Sequence, residues 1–599
     1  MQRSAAGSAG GPAAGTTPGA APGQPTGSLV EQTEPVRGAL GKVRRAYLAL
    51  RHGWLHLGRW ATATTTRLEP LSLAARLHQK PQPEPRDWRW LRSPALLGFI
   101  AVLAIAVGGS LPDSPFKLEM AGSWFFGEPT GASASYPNAM LFVGLVMVYG
   151  GIVLLVRVWV HLLRALTARP GAPVRNLQWM LALWSLPMVV VAPMFSRDVF
   201  SYAAQGEMVS RHINPYICGP YCLGSNFFTN PVDHLWQNAP APYGPLFLVV
   251  DGFLARVSFH HALGTVVLLR LFALAGVALC AYAVPRLARL LGRDPARALV
   301  LGVANPLVVL TLIGGGHNDA VMAGLLVTGI LVARRGFPIW GIVLCAAAGA
   351  IKVPAVLGAV YIAWDWLGPG VPVRRRLGPL ALAGVVTLAV FAVLTALSGL
   401  GAGWVANLTS PGTVVSWAAP ATGIGMVLTS LAHLVGINVA LSTVLAVTRT
   451  LGLLAAVGLG VLLLLQADRI GSVKALGLTL LAFVVLGPVV QPWYLVWGIV
   501  LLSTVATGIL RTTIVVLTAI SPFIGLPGGN RLVHELVAAD PLAIAAVLAV
   551  VLVVFCAPLG RWSVPLSGGT AVVADPPVAE PLFPLVAAWA AADSVEQEL

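Results

Sequence analysis

Residues 196–202 read Ser-Arg-Asp-Val-Phe-Ser-Tyr and follow directly on the apolar stretch Trp179 to Phe195. Only 10% of the residues are charged and 57% are hydrophobic, and an Arg-Asp pair beside a membrane segment is costly unless it faces water, protein or substrate. Asp198 is therefore the first candidate for a working carboxylate. A carboxylate within hydrogen-bond reach of a hydroxyl, and partly shielded from water, acts as a general base. If the segment is helical, Tyr202 shares a face with Asp198 at i, i+4. Glu207 is a possible second acid for the same role. The plainer alternative is an Arg197–Asp198 ion pair capping a span.

Gly314-Gly315-Gly316-His317-Asn318-Asp319 joins two apolar runs. Its glycines allow a tight turn and close approach of backbone to a ligand. A helix starting near Asn318 would aim free amides at the same place and favour an anion such as a phosphate. His317 is then a phosphate or hydroxyl contact, and Asn318 or Asp319 a substrate contact or a helix cap. Lys352 ends an apolar run with no acid nearby in sequence, so it either holds an anionic phosphate or snorkels to lipid headgroups. Gln491-Pro492-Trp493-Tyr494 reads as an aromatic belt or as the wall of a sugar site, with apolar faces and polar tips.

Cys218 and Cys222 can close a small-loop disulfide in an oxidising exterior, while Cys280, Cys345 and Cys556 lie in apolar runs. The chain has neither a Cys/His zinc spacing nor a P-loop, and Asp198 has no Asp-x-Asp partner, so no cofactor or bound divalent metal is indicated. A transferase without a nucleotide-phosphate motif, working on the outer face of a membrane, would need a donor already carried by lipid.

The elements that must position these residues are membrane helices. Mean hydropathy is +0.80 over 599 residues, and the apolar runs of roughly 16 to 25 residues fit a polytopic all-α membrane protein. The net charge of +15 sits mostly in short loops between apolar runs, where positive-inside topology explains it better than nucleic-acid binding does. Residues 1–90 read as a cytoplasmic tail, its first part Gly/Ala/Pro/Thr-rich and disordered, with 37–66 either an interfacial helix or a solvated basic arm. Residues 91–560 form the membrane domain and 561–599 a cytoplasmic C-terminal tail. Placing Lys and Arg inside gives about 12 to 14 crossings. They include spans near 178–195, 297–315, 318–334, 337–352, 354–367, 492–509 and 540–558, with 245–259 laid on the outer interface. Asp198 and the large loop 196–262 then fall outside, with the Gly-rich loop, Lys352 and Gln491 to Tyr494.

A transporter or flippase for lipid-linked sugar is the rival reading. It predicts similarly broken helices in two halves and ionisable residues near the midplane; the sequence shows no clear internal repeat.

Over roughly residues 90–560 the chain resembles the actinobacterial polyprenyl-phosphomannose-dependent α-(1→6)-mannosyltransferases, of the glycosyltransferase C superfamily. The resemblance rests on Ser-Arg-Asp-Val-Phe-Ser-Tyr at 196–202, Asn-Pro-Tyr at 214–216, Tyr-Gly-Pro-Leu at 243–246, Gly-Gly-His-Asn-Asp at 315–319 and Gln-Pro-Trp-Tyr at 491–494. It is most like the B-type enzyme, with the A-type a near alternative. What the resemblance implies is a multi-pass plasma-membrane bundle with interfacial helices in its first large outer loop and an extracytoplasmic site. The implied reaction is inverting mannosyl transfer from polyprenyl-phosphate-mannose to phosphatidylinositol-mannoside or lipomannan, with Asp198 as catalytic acid and Arg197, His317 and Lys352 on the donor phosphate. Tyr202, Asn318, Asp319, Gln491, Trp493 and Tyr494 would contact substrate. A related enzyme with another polyprenyl-phosphate sugar donor is the neighbouring alternative. The family's first loop often carries an acidic pair; here the second acid is Glu207, which leaves metal dependence open.

Overall fold

A computed structural model describes residues 94–111, 137–168, 170–408, 412, 414–524, 549 and 552–553. The expected interfacial segment 37–66, both tails, Cys556 and nearly all of the expected span 540–558 lie outside the described residues. Every regular element among those described is helical. The longer ones are α1 (Pro94–Ser110), α2 (Pro137–Ala168), α3 (Val174–Val190), α4 (Asp198–Ser210), α5 (Pro245–Val257), α6 (Ala262–Leu290), α7 (Pro295–Gly302) and α8 (Asp319–Arg334). They continue with α9 (Pro338–Gly349), α10 (Leu357–Asp365), α11 (Val373–Ser398), α12 (Pro420–Leu434), α13 (Leu441–Leu465), α14 (Ser472–Leu486), α15 (Val496–Leu502) and α16 (Gly508–Ile524). Six of them begin on proline, which suits the first helical position because its missing N–H has no intrahelical partner to lose.

Among the described residues four helices are long and apolar enough to cross a bilayer: Phe142–Ala168 within α2, and α6, α11 and α13. Only 11% of the most apolar stretch of α11 or α13 is buried in protein, so both offer their apolar sides to lipid. The protein is an all-α polytopic membrane protein.

Proline and glycine cut several expected spans into shorter pieces. The expected span 297–315 stops at Gly302 in α7. Asn305 then turns the chain, its Oδ1 accepting from the Val308 amide at 2.9 Å, and the next helical turn is Val308–Gly314. Between that turn and α8 the chain bends by 114°. Gly316 makes the bend possible. Its φ is +69°, and a Cβ there would meet Val199 and the Arg270 stem at 3.1 Å. Likewise 337–352 and 354–367 become α9, a 3-10 turn at Val353–Val356 and α10, while 492–509 becomes a 3-10 turn and α15.

The loop between α3 and α6 carries α4 and α5. Each has 13 residues, about 20 Å and short of a bilayer's hydrocarbon core of about 30 Å. They pack backbone to backbone: a Cβ on Gly206 would lie 2.5 Å from the Asp251 carbonyl oxygen. From Asp319, α8 runs about 24 Å to Arg334, where Arg334 pairs with Asp365 at 2.6 Å and Arg376 with Asp468 at 2.6 Å. Part of the excess positive charge is therefore anchored at the end of the bundle away from Asp319.

Candidate active site

The chain leaves α3 at Val190, runs extended, and turns sharply at Phe195 (φ +69°) before α4 begins at Asp198. The Met194 amide donates to the Gly314 carbonyl at 3.2 Å, tying this approach to the Gly-rich turn. An acid in the first turn complements the positive end of the helix, and the Asp198 amide donates to Ser196 Oγ at 3.1 Å. The alternative of an Arg197–Asp198 ion pair does not form: Asp198 faces His317 instead, with Oδ2 3.6 Å from Nδ1.

Behind Asp198 lies a buried layer. His317 is fully buried, stacks on Trp493 with ring centroids 3.8 Å apart, and has Tyr202 OH 3.5 Å from its Nδ1. Burial, reinforced by the nearby Lys352 charge, pushes the His317 pKa well below the usual imidazole range, so the ring is neutral. Tyr202 packs edge-on against Tyr243 and Phe247. Burial first, then the neighbouring Tyr243, Asp198 and Asp319, keeps its phenol protonated.

Lys352 is not the lone cation its sequence neighbourhood suggests. Its Nζ donates to both carboxylate oxygens of Asp319, at 2.9 and 2.8 Å, and lies 4.5 Å from the centre of the Tyr494 ring. Asp319 also accepts from Trp497 Nε1 at 2.6 Å. The Gly-rich turn thus supplies a carboxylate that holds a lysine. Neither Asn318 nor Asp319 caps α8 through its side chain, and the buried Asn318 amide has no hydrogen-bond partner.

One cavity of about 1240 Å³ runs past these groups. Arg197, Asp198, Lys352, Gln491, Trp493 and Tyr494 line it, whereas Tyr202, His317, Asn318 and Asp319 stand outside its lining. Asp198 keeps about a fifth of its side chain open, at 19% exposure. Its pKa is pushed up from the ordinary 3.8 to about 6. Burial is the main cause; Asp319 and Asp233 add to it, and Lys352 and the Ser196 hydrogen bond oppose it. Where α12, α13 and α14 line it, the cavity forms a mostly apolar arm, with Met426, Leu453, Phe483 and Val484 beside Arg449 and Thr450, and with the strand of chain at Val414 to Trp417 alongside. Arg449 holds that strand, donating to the Val414 carbonyl at 2.7 Å and to Thr422 Oγ1 at 2.9 Å.

Glu207 is not brought to this cavity. Nine residues along a helix turns the side chain to the opposite face, where Glu207 is buried against Arg211 (2.6 Å), His260 (2.9 Å) and Ser210 (3.2 Å). Cys218 and Cys222 are joined as a disulfide in the loop between α4 and α5. Among the described residues no three His, Cys, Asp or Glu side chains converge as a metal site needs. The lining also contains Tyr243, named above only within the motif Tyr-Gly-Pro-Leu, and Ser201, Gln205, Asp233 and Trp236, to which the sequence assigned no role. Ser201 and Gln205 were findable, at i+3 and i+7 from Asp198 on one helix face. Asp233 and Trp236, after a long loop, carry no such signal.

Residues 95–368 match the family model described as α-(1→6)-mannopyranosyltransferase, N-terminal domain, and residues 421–555 match the MptB C-terminal domain. A probable α-(1→6)-mannopyranosyltransferase of Mycolicibacterium smegmatis is 32% identical over 433 residues, covering 66% of this chain and 77% of its own. The α-(1→6)-mannopyranosyltransferase A of Mycobacterium tuberculosis is 30% identical over 428 residues, covering 69% and 80%. The B enzyme of Corynebacterium glutamicum is 28% identical over 456 residues, covering 70% and 73%. No solved structure matches the chain. By its match to relatives along most of their length, this chain belongs to the family of α-(1→6)-mannopyranosyltransferases.

Proposed function

We propose that the mannosyl donor is polyprenyl-phosphate-mannose, that the acceptor is a lipid-anchored mannoside of the phosphatidylinositol-mannoside or lipomannan type, and that transfer inverts the anomeric configuration. The observation that carries this reading is the continuity of the cavity: a carboxylate with raised proton affinity shares it with a mostly apolar arm beside the lipid-facing helix α13. A water-soluble nucleotide sugar would have no use for such an arm, whereas a polyprenyl chain is matched by it. We place the site on the extracytoplasmic face of the plasma membrane, because the cations at the far end of α8 obey the positive-inside rule when that end is cytoplasmic.

Asp198 takes the proton of the acceptor 6-hydroxyl as that oxygen attacks the anomeric carbon from the face opposite the phosphate. The new C–O bond forms while the bond from the anomeric carbon to the phosphate oxygen breaks, through a transition state with oxocarbenium character. Polyprenyl phosphate departs with the electron pair. Lys352 has three ammonium protons and spends two on Asp319, leaving one for the leaving phosphate, and Arg197 offsets further charge. His317, buried and neutral, orients Asp198 rather than meeting phosphate directly. Glu207 has no part in the chemistry in this reading.

The test is transfer of radiolabelled mannose from polyprenyl-phosphate-mannose to short α-(1→6)-mannosides in membranes carrying wild type or Asp198→Ala. Transfer by wild type that disappears in the variant is expected. Equal transfer by both would remove Asp198 from the mechanism, and none by a well-expressed wild type would remove the donor assignment.

A further inference from the structure

The part of the cavity lined by α4 and the loop after it carries polar groups that the proposed reaction does not use. Ser201 and Gln205 lie one and two helical turns beyond Asp198 on the same face of α4, and both line the cavity. They are 4% and 3% exposed, yet Ser201 Oγ and Gln205 Oε1 have no hydrogen-bond partner. An unpaired buried polar atom costs about 1 to 3 kcal/mol and is unusual in a settled core, so two on one face call for a ligand. Across the loop, Asp233 holds the short turn His234–Gln237 through one carboxylate oxygen, which accepts from the Leu235 amide at 2.9 Å. That turn sets Trp236 in the cavity wall. Asp233 is close enough to Asp198 for its charge to act there.

We propose that Ser201, Gln205, Asp233 and Trp236 form the subsite that holds the acceptor mannose ring beside Asp198. This rests on the reading of the apolar arm as the place of the donor lipid, which leaves the polar part to the acceptor. The chemistry fits a pyranose. An indole face covers the C–H side of the ring, and an amide, a hydroxyl and a carboxylate meet its ring hydroxyls. The subsite sits on the rigid first two turns of the helix that carries the base, so a ring bound there presents its 6-hydroxyl to Asp198.

Binding is measured on the full chain in detergent micelles by isothermal titration calorimetry with a soluble methyl α-(1→6)-mannobioside. Gln205→Ala and Trp236→Ala are each expected to raise Kd about tenfold, equivalent to about 1.4 kcal/mol. In transfer assays KM for the mannoside should rise similarly while KM for the lipid donor stays within twofold. Gln205→Asn and Trp236→Phe guard against misfolding and should give smaller rises in the same direction. A mannobioside Kd that no variant moves beyond twofold overturns the subsite, as does absence of mannobioside binding by wild type. A rise in donor KM with acceptor KM unmoved also overturns it, reassigning this part to the donor sugar. Mannobioside binding that depends on Gln205 and Trp236, in a wild type that transfers no mannose from polyprenyl-phosphate-mannose, supports the subsite and sinks the donor reading alone.

Discussion

Replacing Asp198 by Asn should make the protein more stable and inactive at once. The raised proton affinity of Asp198 is a statement about folding: the native state holds its proton up to about pH 6, while the unfolded chain releases it near 3.8. Between those values the native state binds more protons, so stability falls as pH rises, and above about pH 6 the full penalty is present. A difference of roughly two pH units corresponds to about 3 kcal/mol. Asparagine removes the ionisation, so Asp198→Asn should gain up to about 3 kcal/mol at pH 7.5 and only about 0.5 kcal/mol near pH 4. Loss of a general base should cost about 10² to 10⁴ in kcat. The wild type should lose activity on the acid side in step, with about one tenth of the carboxylate ionised at pH 5. Thermal unfolding followed by tryptophan fluorescence at both pH values, beside transfer assays on the same preparations, reads both effects. An inactive variant that melts lower than wild type at pH 7.5 would refute the claim that burial of the base raises its affinity for a proton. A variant with normal turnover would refute its role.

Three further perturbations separate the parts of the site. Lys352→Met strips the buried Asp319 of its cation and should cost about 3 kcal/mol together with donor KM; adding Asp319→Asn should restore stability without restoring transfer, and a double variant no more stable than the single would count against the pairing. Glu207→Gln weakens bonds to Arg211 and His260 outside the cavity, so it should lower the melting temperature by the loss of about 1 to 3 kcal/mol and leave kcat per folded molecule near wild type; a hundredfold kcat loss would return it to the chemistry. Gly206→Ala must part α4 from α5, where a Cβ would sit 2.5 Å from the Asp251 carbonyl oxygen, at about 1 to 3 kcal/mol, with a fall in activity because α4 carries Asp198. Unchanged melting and turnover would show that the two helices yield there freely.

Much of the protein is legible along the chain because the signals are local. A bilayer demands long apolar runs, so hydropathy alone marks the helical membrane class. A costly Arg-Asp pair beside such a run marks Asp198, and three glycines mark the bend that needs a positive φ at Gly316. The cysteines of the loop are close enough in sequence to suggest their own bridge. The polar and aromatic motifs at 196–202, 315–319 and 491–494 also carry the family resemblance, which the comparisons with known relatives establish.

What tertiary structure decided is whatever depends on pairing across distance. Lys352 has no acid near it in sequence, and only the bend that turns α8 toward the 3-10 turn at Val353–Val356 places Asp319 within 2.8 Å. Glu207 shares a helix with Asp198, yet the helical angle sends it to the other face, where Arg211 and His260 wait. Proline and glycine breaks within apolar runs are visible as residues, but the 114° bend they permit is set by what packs on either side. The joining of an acid and an apolar arm in one cavity comes from helices more than 200 residues apart in the chain, α4 with α13 and α14. Hydropathy fixes which segments leave water. Which of them meet is settled by side-chain packing and by the need of each buried charge for a partner.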